Sequence, residues 1–220
     1  SSREIPVLRR SMRSLAELQQ NEDRVSGRIL AADVLQDPML ALRVLVHLEA
    51  HRHQRQNHDI TTVDRAIMMM GISPFFKKFG DLPTVEETLS HHPRALVGLL
   101  KVVGRAKHAA RWAREFATLR HDIDLDEVTV AALLHEAAEI LFWCFAPECM
   151  QKIMALRAQN PSMRSASAQE AILGVSIRDV QAALVQAWHL PQLLVTLMNE
   201  ENAEQPRVRN VILACDMARH

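Results

Sequence analysis

Apolar residues recur along this chain at three- and four-residue spacing from one end to the other, and no run alternates apolar with polar as a half-buried strand does. Side chains spaced in that way share one face of a helix, and each such face must be buried against another. Val7, Leu8, Met12, Leu15 and Leu18 predict a first helix, and Val25, Ile29 and Val34 a second. Asp37-Pro38 reads as an N-cap followed by Pro at the first helical position, opening a helix over Met39–His51. Arg52–Ile60 reads as a polar loop. Thr61 or Thr62 then caps Val63–Met70, and Gly71 stands where a helix end takes a left-handed residue. Ser73-Pro74 opens a further short helix. Thr84-Val85-Glu86-Glu87 carries the capping-box pattern, in which the Thr side chain and the Glu three residues on satisfy each other's backbone donors. The segment from Arg94 to Leu119 is long with one apolar stripe, and Asp124-Leu125-Asp126-Glu127 caps the helix after it. Pro147, Pro161, Gly174, Pro191 and Pro206 punctuate the remaining helices. The expected fold is all-α, a multi-helix bundle forming a single domain over residues 1–220. Within it the Leu119–Asp124 loop divides an N-terminal lobe, 1–119, from a C-terminal lobe, 120–220.

Charge and composition remove several functions. Lys plus Arg and Asp plus Glu balance at 26 each, so no net field draws the chain to nucleic acid or to an anionic membrane. Aromatics are 4% and Tyr is absent, which leaves no platform for stacking bases, and no helix has the basic face of a recognition helix. No apolar run is expected to reach the roughly 20 residues of a membrane span. The chain opens at Ser1 without Met and with no signal peptide, and the expectation is a processed or trimmed chain. Cys144, Cys149 and Cys215 form no CxxC pair and are odd in number, as reduced, buried thiols of a cytoplasmic protein are. Six glycines in 220 residues supply no phosphate-cradling loop, and there is no GxSxG or Cys-His nucleophile pattern.

The chemistry-bearing stretch is Ala131-Ala132-Leu133-Leu134-His135-Glu136-Ala137-Ala138-Glu139-Ile140-Leu141-Phe142. On one helix His135 and Glu139 would share a face, with Glu136 about 100° round from His135. His135-Glu136-Ala137-Ala138-Glu139 departs from the HExxH zincin pattern at its second imidazole, which that metal site needs. A closer likeness is to the metal sites of HD phosphohydrolases, which combine an isolated His, a later His-Asp pair and a distal Asp. Imidazoles and carboxylates together hold a divalent ion there and lower the pKa of its bound water. The corresponding positions are His108, His135-Glu136 and Asp216. Glu for Asp is one methylene longer, and ligand distances tolerate only about 0.2 Å.

Four motifs in order resemble the HDOD domain, the HD-related output domain of bacterial signalling proteins. Asp37-Pro38 is similar to the family's N-terminal "DP" segment, and Ile60-Thr61-Thr62-Val63-Asp64-Arg65-Ala66-Ile67-Met68-Met69-Met70-Gly71 to its "ITSxxxAIxxLG" stretch. Leu133-Leu134-His135-Glu136-Ala137-Ala138-Glu139-Ile140-Leu141 is similar to "LLHDIGKLVL", and Trp188-His189-Leu190-Pro191 to the "WxLP" turn. The departures fall on the metal chemistry. The HD pair is His135-Glu136, the family's Gly-Lys is Ala138-Glu139, a frequent His position is Ile177, and the usual downstream His pair falls in the His-free Asn199-Glu200-Glu201-Asn202. The resemblance implies an HD-like C-terminal lobe in a helical, cytoplasmic, bacterial regulatory module. It implies action through contacts with signalling proteins, with no catalysis of its own, no cofactor, no nucleic-acid or membrane partner, and a homodimer as one expected state. The alternative it implies is a metal-dependent phosphohydrolase acting on a nucleotide or cyclic dinucleotide through a divalent ion on His108, His135, Glu136 and Asp216.

Each singled-out residue also has a plainer reading. His135 reads as a core or pocket histidine bonded to a carboxylate or carbonyl, and Glu136 and Glu139 as a solvated or intra-helical polar stripe. His108 reads as a surface residue, and Asp216 as a cap or as the partner of Arg219 three residues on. His47, His51, His53 and His58 lack a carboxylate or thiolate set and read as a polar helix end and loop. His91-His92 before Pro93 reads as a turn. Trp112, Trp143 and Trp188 read as core anchors.

Overall fold

The computed structural model describes residues 5–51 and 62–219. Its helices are α1 (Arg9–Gln19), α2 (Gly27–Val34), α3 (Pro38–Ala50), α4 (Val63–Met70), α5 (Ile72–Phe79), α6 (Val85–Thr88), α7 (Pro93–Leu119), α8 (Leu125–Leu134), α9 (Ala137–Phe145), α10 (Pro147–Gln159), α11 (Ser165–Leu173), α12 (Ile177–Ala187), α13 (Gln192–Met198) and α14 (Pro206–Met217). Glu22–Arg24 and Glu200–Asn202 form single 3₁₀ turns. The fold is all-α, and among the described residues the one β pairing is an isolated parallel bridge between Val7 and Thr84. Residues 52–60 of the expected polar loop, Thr61, His53 and His58 lie outside the described residues.

The caps form where short-range chemistry placed them. Asp37 accepts the Met39 and Leu40 N–H groups ahead of Pro38, and Thr62 accepts from Arg65. Thr84 and Glu87 close a full capping box, and Asp124 accepts from the Glu127 N–H. Asp37 does more than cap. Fully buried, it also takes the Leu8 N–H at 2.7 Å and the Ser11 hydroxyl at 2.9 Å. Burial pushes its carboxyl above the usual range, and the four hydrogen bonds work against that shift.

That anchor corrects the expected first helix. Val7 and Leu8 precede α1 in extended backbone, because the Leu8 N–H is claimed by Asp37 while Val7 pairs with Pro83 and Val85. Gly71, at φ 86° and ψ 156°, separates α4 from α5, so α5 starts at Ile72 rather than at Ser73-Pro74. Pro74 sits inside its first turn, where a missing N–H leaves no helical bond unmade. Ile29 and Trp112, expected in the core, are 49% and 42% exposed. Trp112 instead stacks on Phe116 one turn along α7, with ring centroids 6.0 Å apart.

The first nine residues of α3, Pro38–Val46, are all buried and fill the N-terminal half of the core. Helix α7 is the spine, packed on α8 and α14 and also touching α3, α9 and α10. Where α7 meets α9 it carries Gly98. A Cβ there would lie 2.5 to 2.8 Å from three ring carbons of the buried Trp143, so the glycine is the space the indole occupies. The α7–α8 loop turns through His121 at φ 54° and is tied to α14 by Arg207. That guanidinium bonds Asp122 at 2.9 Å, Glu127 at 2.7 Å and the Asp124 carbonyl at 3.0 Å. Leu125–Phe145 is, against expectation, long and apolar enough for a membrane span, with a mean hydropathy of 1.5. It is 67% buried inside the fold, as a core segment is.

Candidate functional site

Helix α8 ends at Leu134 and α9 begins at Ala137, so His135 and Glu136 are the two residues of a break. The single helix expected through this stretch is therefore two. The cause is Gln181 on α12, a buried amide. Its Nε2 donates to the Leu134 carbonyl at 3.0 Å, and its Oε1 accepts from the Ala138 N–H at 2.7 Å. Those two backbone groups would bond each other in a continuous helix. The inserted amide satisfies both, so the chain turns without orphaning either.

The break aims Glu136 between two arginines. Arg105 of α7 donates to Glu136 Oε2 from Nε at 3.2 Å and to Glu139 Oε2 from Nη2 at 3.1 Å. From the other side Arg219 donates to Glu136 Oε1 from Nη2 at 3.2 Å and Nε at 3.3 Å. Its Nη1 bonds Asp216 Oδ1 at 3.1 Å. Charges thus alternate along Glu139, Arg105, Glu136, Arg219 and Asp216, and the string joins α7, the α8–α9 break and the end of α14. Both oxygens of Glu136 are committed to guanidinium groups.

Electrostatics follow burial. Burial pushes the Glu139 carboxyl up, and Glu136 adds to this while Arg105 pulls it back down. Burial works against the Arg105 charge as well, but Glu136 and Glu139 outweigh it and hold the guanidinium above its usual pKa. Burial lowers the pKa of His135. Glu136 and Asp216 oppose that, whereas Arg219 and Arg178 reinforce it. His135 Nδ1 is buried with no hydrogen-bond partner, unlike the bonded pocket histidine of the plainer reading. The Trp143 indole N–H lies beside Glu139 but outside hydrogen-bond geometry.

The structure groups three of the four sequence candidates, His135, Glu136 and Asp216, and separates the fourth. His108 is exposed on α7 and lines a different cleft, between α7 and α2. Asp216 pairs with Arg219, and Glu136 and Glu139 belong to an inter-helix string rather than an intra-helical stripe. Among the described residues no three His, Cys, Asp or Glu side chains converge to hold a metal ion. The donor set does not fit a divalent ion, because Glu136 already serves two cations and His108 faces elsewhere. The other histidine cluster is a packing pair. His47 and His51 have ring centroids 4.2 Å apart, and His51 Nδ1 lies 2.7 Å from the His47 carbonyl oxygen. All three cysteines are free, and burial pushes Cys144 and Cys215 up to about 12, which keeps their thiols protonated.

Arg105 and Gln181 carry no mark in the sequence, and Arg219 is marked there only as the partner of Asp216. The bonds that the sequence does not show, from these three residues to the break and to Glu139, span between 31 and 83 residues.

The family model described as the HDOD domain matches residues 5–204. The chain belongs to the HDOD family. Solved structures share the fold of this HDOD domain. The MmoQ response regulator from Methylococcus capsulatus str. Bath is 18% identical, with a TM-score of 0.74, over 99% of this chain and 87% of its own. A virulence factor from Campylobacter jejuni subsp. jejuni is 15% identical, with a TM-score of 0.71, over 97% of this chain and 75% of its own. An HDOD domain protein of unknown function from Geobacter sulfurreducens is 20% identical, with a TM-score of 0.50, over 97% of this chain and 72% of its own. A search of curated proteins found no match.

Proposed function

We propose that this HDOD domain is a non-catalytic regulatory module of a bacterial cytoplasm, acting through contacts with signalling proteins rather than with nucleic acid or membrane. The observation that carries this reading is the commitment of Glu136 to Arg105 and Arg219. A carboxylate held between two guanidinium groups is neutralised where a metal-dependent hydrolase needs it free to bind its ion. The alternative, a phosphohydrolase using His108, His135, Glu136 and Asp216, requires both arginines to let go and His108 to leave its own cleft.

The same string gives the module a mechanical element. It fastens three separate segments of the fold at one point, so a partner that pulls α14 or α7 trades these ion pairs for others and shifts the packing of the break. The similarity to a response regulator fits such a role. The test is turnover of a chromogenic phosphodiester by the full chain with added Mn²⁺ and Mg²⁺. The expected rate equals that of Glu136→Ala. Metal-dependent turnover abolished by His135→Ala would overturn the proposal.

A further inference from the structure

A cleft of about 1050 Å³ runs between α2 and α7, on the opposite side of α7 from Arg105. Its floor is apolar, built by Leu35, Val103 and Val130, and small residues at Ala31, Gly104 and Ala110 keep it open. The rim is basic. Arg10, Arg28, Lys107 and Arg111 line it, and none of them has an ion-pair partner among the described residues. Among the described residues Arg10 bonds only the Gln36 carbonyl, at 3.0 Å. The rim's remaining cation, Arg114, is neutralised by Asp126, and Glu86 accepts the Arg9 N–H. Asp64 is the one acidic side chain of the rim without a partner among the described residues.

Two further observations point to an occupant. Gly104 sits in the middle of a 27-residue helix, where glycine is less stable than alanine, yet a Cβ there would meet nothing within 4 Å. Packing among the described residues gives no reason for the glycine, whereas close approach of a ligand to the α7 backbone does. Burial lowers the pKa of Lys107 and nearby Arg10 lowers it further, while Asp37 draws it partly back, so Lys107 sits close to a second cation with no ion pair of its own among the described residues.

We propose that this cleft binds a small organic anion, a phosphate or carboxylate on a flat apolar body. The body lies on the floor against Gly104, and the anionic group sits among Arg10, Lys107 and Arg111. Such a site combines a mostly apolar concavity with a few convergent charges, the usual make-up of a small-molecule pocket. The proposal stands whether or not the His135 region is catalytic, because the two sites share no residue.

Heteronuclear NMR titration of the full chain tests it, with naphthyl phosphate and naphthoate as probes and neutral naphthol as the control. The expected result is saturable shifts confined to amides around Gly104, Ala31 and Lys107 with one or both anionic probes. The stronger probe identifies the charge class. Lys107→Gln combined with Arg111→Gln is expected to weaken binding about tenfold or more, the loss of charge-assisted contacts. Gly104→Leu is expected to abolish it while the melting temperature stays level or rises, which separates a blocked cleft from a damaged fold. Shifts elsewhere, shifts equal with naphthol, or binding unchanged in both variants would overturn the proposal.

Discussion

Helix α7 shows two faces built on opposite rules. Residues advance about 100° each around a helix, which places Gly98 and Arg105 on one side and Gly104, Lys107 and Arg111 on the other. On the first face every special residue is accounted for inside the chain. Trp143 occupies the room beside Gly98, and the Arg105 charge is divided between Glu136 and Glu139. On the second face Gly104 meets nothing, and Lys107 and Arg111 have no counter-ion among the described residues. The same residue types are internally satisfied on one side and unsatisfied on the other. The closed side faces the His135-Glu136 break, and the open side is where a ligand has room.

The contrast can be broken by substitution. Gln181→Leu is expected to have the largest effect, because it leaves the Leu134 carbonyl and the Ala138 N–H buried without partners. Each orphan costs about 1–3 kcal/mol, so a loss of about 2–4 kcal/mol should appear in urea unfolding. A variant as stable as the wild type would mean that the two backbone groups find partners without the amide.

Arg105→Gln removes the cation shared by Glu136 and Glu139 and should cost about 1–3 kcal/mol near neutral pH. Its pH dependence carries a definite sign. Burial already raises Glu139 above its ordinary value of 4.5, and Arg105 opposes that rise. Without the arginine the folded-state pKa climbs further. A carboxyl with a raised folded pKa holds more protons folded than unfolded, so its stability is fully present below about 4.5 and is lost as pH rises through the folded pKa. The deficit of Arg105→Gln should therefore be small in acid and grow toward neutrality, as urea midpoints across that range would show. A deficit that does not change with pH would remove Glu139 from the account.

The two glycines give the sharpest pair. Gly98→Ala places a Cβ 2.5 Å from Trp143 Cη2 and should destabilise by about 1–3 kcal/mol, despite the better helix propensity of alanine. Gly104→Ala should stabilise by about 0.5–1 kcal/mol, the ordinary gain for an unhindered helical glycine. The same substitution six residues apart is expected to change sign, and two effects of equal sign would erase the distinction between the faces.

How much was legible beforehand follows the range of the interaction. The caps at Asp37, Thr84 and Asp124 act within four residues and were readable as letters in a row. The helix period marked most of α7 and the all-α class. What escaped was set by distant partners. Val7 and Leu8 look helical by spacing, but Asp37, 29 residues from Leu8, draws the segment out. The break at His135-Glu136 is invisible in an apolar helical run, because Gln181 lies more than 40 residues away. Asp216 was paired correctly with Arg219 because they are three apart, while the second bond of Arg219, to Glu136, spans 83 residues. The exposed Trp112 had no warning either, since its partner Phe116 is one turn along the same helix and makes no demand for burial.

The central claim is that the His135-Glu136 break is a joint held by arginines rather than a seat for a metal. The most direct measurement is elemental analysis of the full chain purified without chelator or affinity metal, beside His135→Ala and Arg105→Gln. No stoichiometric metal is expected in any of the three. A stoichiometric divalent ion in the wild type that is lost in His135→Ala would contradict it.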